Sequence, residues 1–161
     1  MHRRRVLMLS GAAVAGCGFE LRQAPRLPFH SVALVGFAPQ STLAPLLRQQ
    51  LAASSVQVSE VPARADAVLE ALADAREKGV VASTSVGQVR EVQLRVKLRF
   101  RVATPSGKLL LAADELLLTR DMSYSETTAL AKMQEEALLY RAMEDDIAAQ
   151  VLRRLAAIKP A

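Results

Sequence analysis

Between Val92 and Val102 the chain alternates without a fault. Val92, Leu94, Val96, Leu98, Phe100 and Val102 are apolar, and Gln93, Arg95, Lys97, Arg99 and Arg101 between them are polar. Strand side chains point alternately to opposite faces, so this run specifies a half-buried strand with one apolar and one wet face. A helix would scatter the same residues around its surface. The fold must therefore contain a sheet covered on one side, with a row of cations on the other. Thr104-Pro105-Ser106-Gly107 follows. Proline presets the first turn residue and glycine supplies the left-handed one, as in a three-residue hairpin loop made of a type I turn and a bulge. Continued without interruption, that loop pairs Thr104 with Lys108, Lys97 with Glu115, Leu98 with Asp114 and Val96 with Leu116. Asp114 then lies on the core side, and a one-residue shift would place Glu115 there instead. The wet face gains Leu109, Leu111 and Leu117 among its cations, a mixture suited to something both acidic and apolar. The plainer alternative is solvent, paired carboxylates, or a stretch of the same chain covering the leucines.

The other elements read less sharply. Ser31 to Phe37 is a short apolar run that predicts a first strand, ended by Ala38-Pro39. Ser41 is placed to N-cap a helix from Thr42 to about Ala53, with Leu43, Leu46, Leu47 and Leu51 on one face. Val56 to Val61 suggests a short second strand closed by Pro62. Ala65 to Ala75 has helical propensity but is bounded like a strand, and it is assigned as a strand. Lys78 to Val86 reads as a connection, with Gly87 admitting a bend. Ser123-Tyr124-Ser125-Glu126 has capping-box spacing. Beyond it Leu130, Met133, Ala137, Tyr140, Ile147, Val151, Leu155 and Ile158 recur at helical spacing, predicting one long helix. Arg153, Arg154 and Lys159 crowd its end, where the helix dipole favours cations.

The first residues form an address. Arg3-Arg4-Arg5 precedes a short apolar run from Val6 to Val14, too short to span a bilayer, as in a bacterial export signal. It ends Val14-Ala15-Gly16-Cys17, and Cys17 is the only cysteine. This run resembles the lipobox of bacterial lipoproteins, in which a peptidase cleaves before a cysteine that is then acylated on sulfur and amine. Three acyl chains at about 0.8 kcal/mol per buried methylene anchor a protein stably without a spanning helix. The expected organisation is a signal peptide over 1–16, a lipid-anchored tether over 17–30 and a single domain over 31–159. In the tether, Pro25 and Pro28 break regular structure, and Phe19, Leu21, Leu27 and Phe29 can pin it to the domain. Removing 1–16 takes away three of the 21 basic residues and none of the 16 acidic ones, so the formal charge falls from +5 to +2. A mildly basic chain without a nucleic-acid motif is not expected to bind nucleic acid.

Nothing assembles into a catalytic centre. After signal removal His30 is the only histidine, which leaves a serine without a base and a metal without ligands. Glu135, Glu136, Glu144, Asp145 and Asp146 read as a solvated helix face, with Lys132 one turn before Glu136 as its partner. The glycines are dispersed, with no phosphate-cradling loop. A non-enzyme without cofactor or metal is expected.

Taken in order, Cys17-Gly18-Phe19-Glu20-Leu21-Arg22, Leu27-Pro28-Phe29, Gly87-Gln88-Val89-Arg90-Glu91-Val92-Gln93-Leu94, Ala129-Leu130-Ala131-Lys132, Glu135-Glu136 and Arg153-Arg154-Leu155 resemble the LPS-assembly lipoprotein family LptE. The resemblance covers essentially the whole chain. It implies an α+β two-layer sandwich, a mixed sheet of four to five strands with two helices on one face. It implies lipidation at Cys17 and, with Gly18 rather than Asp after it, residence at the periplasmic side of the outer membrane. It further implies association with the β-barrel protein LptD, as plug and assembly aid, and binding of lipopolysaccharide. Lys132 matches a basic family position implicated in lipid binding. A second family cation would fall where this chain has Ser85 and Val86, so that correspondence fails. Arg90, Arg95, Lys97 and Arg99 are the cations expected to serve beside Lys132, because lipid A offers phosphates next to acyl chains and charge-assisted bonds to phosphate are strong.

Overall fold

The computed structural model of the protein describes residues 26–159. Strand β1 (Ser31–Val35) is followed by helix α1 (Leu43–Ala53), β2 (Gln57–Val58), three long strands β3 (Ala67–Ser83), β4 (Val89–Ala103) and β5 (Leu109–Ser123), and helix α2 (Ala129–Ala156). All five strands form one sheet in the order β2-β1-β3-β4-β5. β1 runs parallel to β2 and β3, and the β3–β4 and β4–β5 pairs are antiparallel. The result is the expected α+β two-layer sandwich. The six alternating apolar residues of β4 are all buried, in one core with Leu43, Leu47 and Leu51 of α1 and Tyr140, Met143, Ile147, Val151 and Leu155 of α2. Leu27 and Phe29 do pin the chain before β1 to this core. Phe19, Leu21, Cys17 and the export signal lie outside the described residues.

Local chemistry accounts for the first half. Ser41 Oγ accepts the N–H of Ala44 at 3.0 Å and so caps the start of α1. β1 ends at Gly36, whose φ of +77° is open to glycine and costly for other residues. Asp66 holds the start of β1 to the start of β3. Its carboxylate accepts the N–H groups of His30 and Ser31 at 2.8 and 2.9 Å, and these bonds lower its pKa below the usual aspartate value. Of residues 65–75, assigned as a strand, 67–75 are strand, and Ala65 and Asp66 precede it.

Four expectations are corrected. The supposed connection over Lys78 to Val86 is mostly strand: β3 continues to Ser83, opposite Val89, and only Thr84 to Gly87 form the turn. Lys78 and the mixed Gly, Ser, Thr and Val that follow obscured the alternation, and Glu136 of α2 supplies the partner of Lys78. The hairpin loop forms as predicted, with Thr104 N–H donating to Lys108 O at 2.8 Å, but β5 then carries bulges. Past them Lys97 lies opposite Leu117, Leu98 opposite Leu116 and Val96 opposite Leu118, two residues from the uninterrupted register. Leu111 thereby passes to the helix side opposite Val102, while Asp114 stays on that side opposite Phe100 and is met by the guanidinium of Arg154 from α2.

Ser123 to Glu126 makes no capping box. Ser123 closes β5, and a 3-10 turn over Glu126–Thr128 intervenes before α2, which has no side-chain cap. Finally, Leu130, Met133 and Ala137 are exposed rather than core. A strict heptad pattern drifts by about 20° per repeat on a straight helix, so a stripe that faces the sheet near Ile158 has rotated by about 80° at Leu130.

Candidate functional site

The cations of this chain sort into three environments. The first lies between β3 and α2. Lys78 Nζ meets Glu136 Oε2 at 2.6 Å, so Glu136 is not the partner of Lys132. The Arg76 guanidinium lies 3.7 Å from the centre of the Tyr140 ring, and the Tyr140 hydroxyl donates to the Glu77 carbonyl at 2.7 Å. Burial pushes the Tyr140 phenol above its ordinary pKa. Glu144, read as part of a solvated face, is buried: it accepts from Thr42 Oγ1 at 2.6 Å and lies 3.8 Å from Arg76. These charges join the two layers and are committed to structure. The misreading of residues 78–86 hid them.

The second environment is the open face of the sheet, which carries Arg95, Lys97 and Arg99. Leu109 and Leu117 are exposed on it, as expected. The register brings carboxylates to most of its cations. Arg101 pairs with Glu70 at 2.7 Å. Arg99 lies across from Glu115, and Arg95 across from Glu77. Arg95 Nε donates to Gln93 Oε1 at 2.7 Å, and Gln93 in turn donates to Asp121 at 2.9 Å. Lys97 alone sits between two uncharged neighbours, Ala75 and Leu117. Among the described residues Arg95, Lys97 and Arg99 form no ion pair within 4 Å. A shallow cavity of about 430 Å³ lies at one end of this face, lined by Val68, Glu70, Arg101, Pro105 and Leu109. The face is thus polar and nearly charge-balanced, not a positive strip.

The third environment is the end of the molecule formed by the β3–β4 turn and the start of α2. Lys132 lies there with its side chain 19% exposed, donating to Ser123 Oγ at 3.1 Å and to Glu135 Oε2 at 2.8 Å. Arg90 is exposed at the same end, beside a 260 Å³ pocket shared with Gln88, Ser125, Glu126 and Thr127. Val86, Leu130 and Met133 are exposed there as well. The five expected ligand cations therefore do not form one cluster. Lys132 and Arg90 share an end, whereas Arg95, Lys97 and Arg99 line the face turned away from the helices. His30 stands before β1, and among the described residues no three metal-ligating side chains come together. None of the described helices is long and apolar enough to cross a membrane.

Comparison with known proteins gives this geometry a family. The family model described as LptE, Lipopolysaccharide-assembly, matches residues 29–155. The LPS-assembly lipoprotein LptE of Yersinia enterocolitica is 29% identical over an alignment covering 100% of this chain and 80% of that protein. The protein of the same name from Pectobacterium atrosepticum is 27% identical over 98% of this chain and 88% of its own length. The fold is similar to that of an uncharacterized lipoprotein B from Nitrosomonas europaea, with a TM-score of 0.72 and 29% identity over 87% of this chain and 91% of that one. A minor lipoprotein from Acinetobacter baumannii gives a TM-score of 0.65 and 26% identity, covering 81% of this chain and 93% of its own. With the match spanning both helices and all five strands, the chain belongs to the LptE family of lipopolysaccharide-assembly lipoproteins.

Proposed function

We propose that this chain is an outer-membrane lipoprotein, acylated at Cys17 and facing the periplasm, that binds lipopolysaccharide and works with an LptD-like β-barrel to deliver it to the cell surface. On this reading it also aids assembly of that barrel and catalyses no reaction. The family match over residues 29–155 carries the proposal. The end of the molecule at Lys132 supports the lipid-binding part. Lipid A joins phosphates to acyl chains, and there Lys132 and Arg90 stand beside exposed Val86, Leu130 and Met133. The Lys132 amine is held by Ser123 and Glu135, so it is positioned before a ligand arrives. Arg95, Lys97 and Arg99 are assigned a secondary role, because carboxylates lie across from both arginines and all three stand on the face turned away from Lys132.

The test is lipopolysaccharide binding by the purified full-length protein in detergent. Lys132→Asp is expected to weaken binding at least tenfold with an unchanged melting temperature, and Arg95→Asp to weaken it less. Undiminished binding by Lys132→Asp refutes the site. One observation favours a second reading, a lipid-anchored scaffold with no lipid ligand: the open face is nearly charge-balanced and suits a polar protein surface. Absence of any direct lipopolysaccharide binding by the wild-type protein would select that reading.

A further inference from the structure

The sheet is five strands wide at one end only. β1 pairs with β3 from Ala67 to Glu70 and then leaves at Gly36, so among the described residues β3 from Leu72 to Ser83 has a neighbour on the β4 side alone. The layer above is incomplete in the same place. α1 lies against the later turns of α2, with Thr42 on Glu144, while no described element covers the flank of α2 nearer its start. Apolar side chains are among those left without cover. Val80 is 61% exposed although its cross-strand partner Val92 is buried, Met133 is 65% exposed, and Ala137 is exposed beside it. The contacts of Lys78 with Glu136 and of Arg76 with Tyr140 set the alignment of helix on strand. Two residues further along β3 advance about 6.6 Å, or four helical residues, which brings Val80 level with Lys132, one residue from Met133.

We propose that this edge of β3, from Leu72 to Val81, receives an extended segment of the barrel partner as an added strand, with side chains packing under Met133 and Ala137. The inference rests on the partnership proposed above. A bare strand edge offers a row of backbone donors and acceptors, which a polypeptide satisfies and an acyl chain does not. The edge has no proline from Leu72 to Ser83, and its guards are the charges of Asp74, Arg76, Glu77 and Lys78, which an occupant has to match. Gly79 presents open space, with no atom within 4 Å of where a Cβ would stand. Charge specifies the rest of the occupant. On the helix side Arg76 and Lys78, already paired with Glu144 and Glu136, are still 44% and 41% exposed and repel cations in the incoming segment, which places an apolar residue beside Val80. On the open side Glu77 calls for a cation, and the small residues Ala75 and Gly79 leave room for large side chains. The incoming segment is therefore amphipathic and alternating.

The experiment is amide hydrogen exchange on the full-length acylated protein, alone and co-purified with its outer-membrane barrel partner. The expected result is at least tenfold slower exchange within Leu72–Val81 in the complex. Val80→Lys, at a site exposed in the free protein, is expected to reduce recovery of the complex at least fivefold with unchanged melting of the free chain. An intact complex without added protection there overturns the strand-addition proposal and leaves the partnership standing. Failure to recover any complex with wild-type protein overturns both. Protection by lipid A micelles alone would assign the edge to lipid, and protection that grows with concentration of the free protein would assign it to a second copy; either result overturns the proposal.

Discussion

Gly36 is the position where one added methyl group has the largest consequence. Its φ is +77°, and a Cβ built there would lie 2.4 Å from the carbonyl oxygen of Ala71. Gly36→Ala therefore carries two penalties. A left-handed backbone costs a residue with a Cβ about 1–2 kcal/mol. Relieving the overlap means moving backbone against backbone, since no flexible side chain is available to yield, and overpacking of this kind costs about 1–3 kcal/mol. Together these give a loss of about 3 kcal/mol, and at about 4 °C per kcal/mol for a domain of this size the melting temperature should fall by about 12 °C. Gly79→Ala is the matched control, because nothing lies within 4 Å of its Cβ position. It should be neutral or stabilise by up to about 1 kcal/mol, since glycine within a strand is itself unfavourable. Calorimetry of the full-length protein in detergent measures both. A Gly36→Ala melt within about 2 °C of wild type would refute the reasoning, since overlap and dihedral cost together predict several times that shift. An equal loss in both variants would do the same, by showing that any methyl group on the sheet is tolerated equally poorly.

Arg154→Met should cost about 1 kcal/mol by leaving Asp114 on the helix side of the sheet without its partner, and Asp114→Leu should cost less, because it removes the carboxylate that needs pairing; urea titration ranks the two. Asp66 provides a pH test. Its folded pKa lies below the ordinary value of 3.8, so the bonds to His30 and Ser31 stabilise the protein above that pH and are lost as pH falls through the acid range. The stability gap between wild type and Asp66→Asn should be full near neutrality and close below about pH 4, and a gap constant from pH 7 to pH 3 would contradict the assignment. Phe100→Ala, in the fully buried centre of β4, should cost about 3–5 kcal/mol in the same titration.

What could be read from the sequence follows how local each determinant is. The alternation of Val92 to Val102 and the turn at Pro105-Gly107 are short-range signals, and both took the expected form. The register of β5 was not legible, because Leu109 to Ala113 is uniformly apolar and nothing in it marks where extra residues bulge out. The far half of β3 was hidden because Arg76 and Lys78 face the helix layer and look like surface residues until Tyr140 and Glu136 are placed above them. Lys132 and Arg90 were named from the sequence, but the separation of the other cations onto the opposite face depends on which side of the sheet the helices cover. That is settled by long-range packing, not by any local run.

The length of β3 also fixes a scale. Seventeen residues at about 3.3 Å each make a strand of roughly 55 Å, nearly twice the roughly 30 Å thickness of a bilayer's hydrocarbon interior. Arg26 to His30 enter the domain at the foot of this strand, beside Asp66, whereas Lys132 and Val86 are at its head. Nine residues lead back from Arg26 to Cys17, at most about 32 Å of fully stretched chain. With Cys17 acylated as proposed, the anchor would keep the foot within that distance of the leaflet and leave the head to work tens of ångströms away from the surface that retains it.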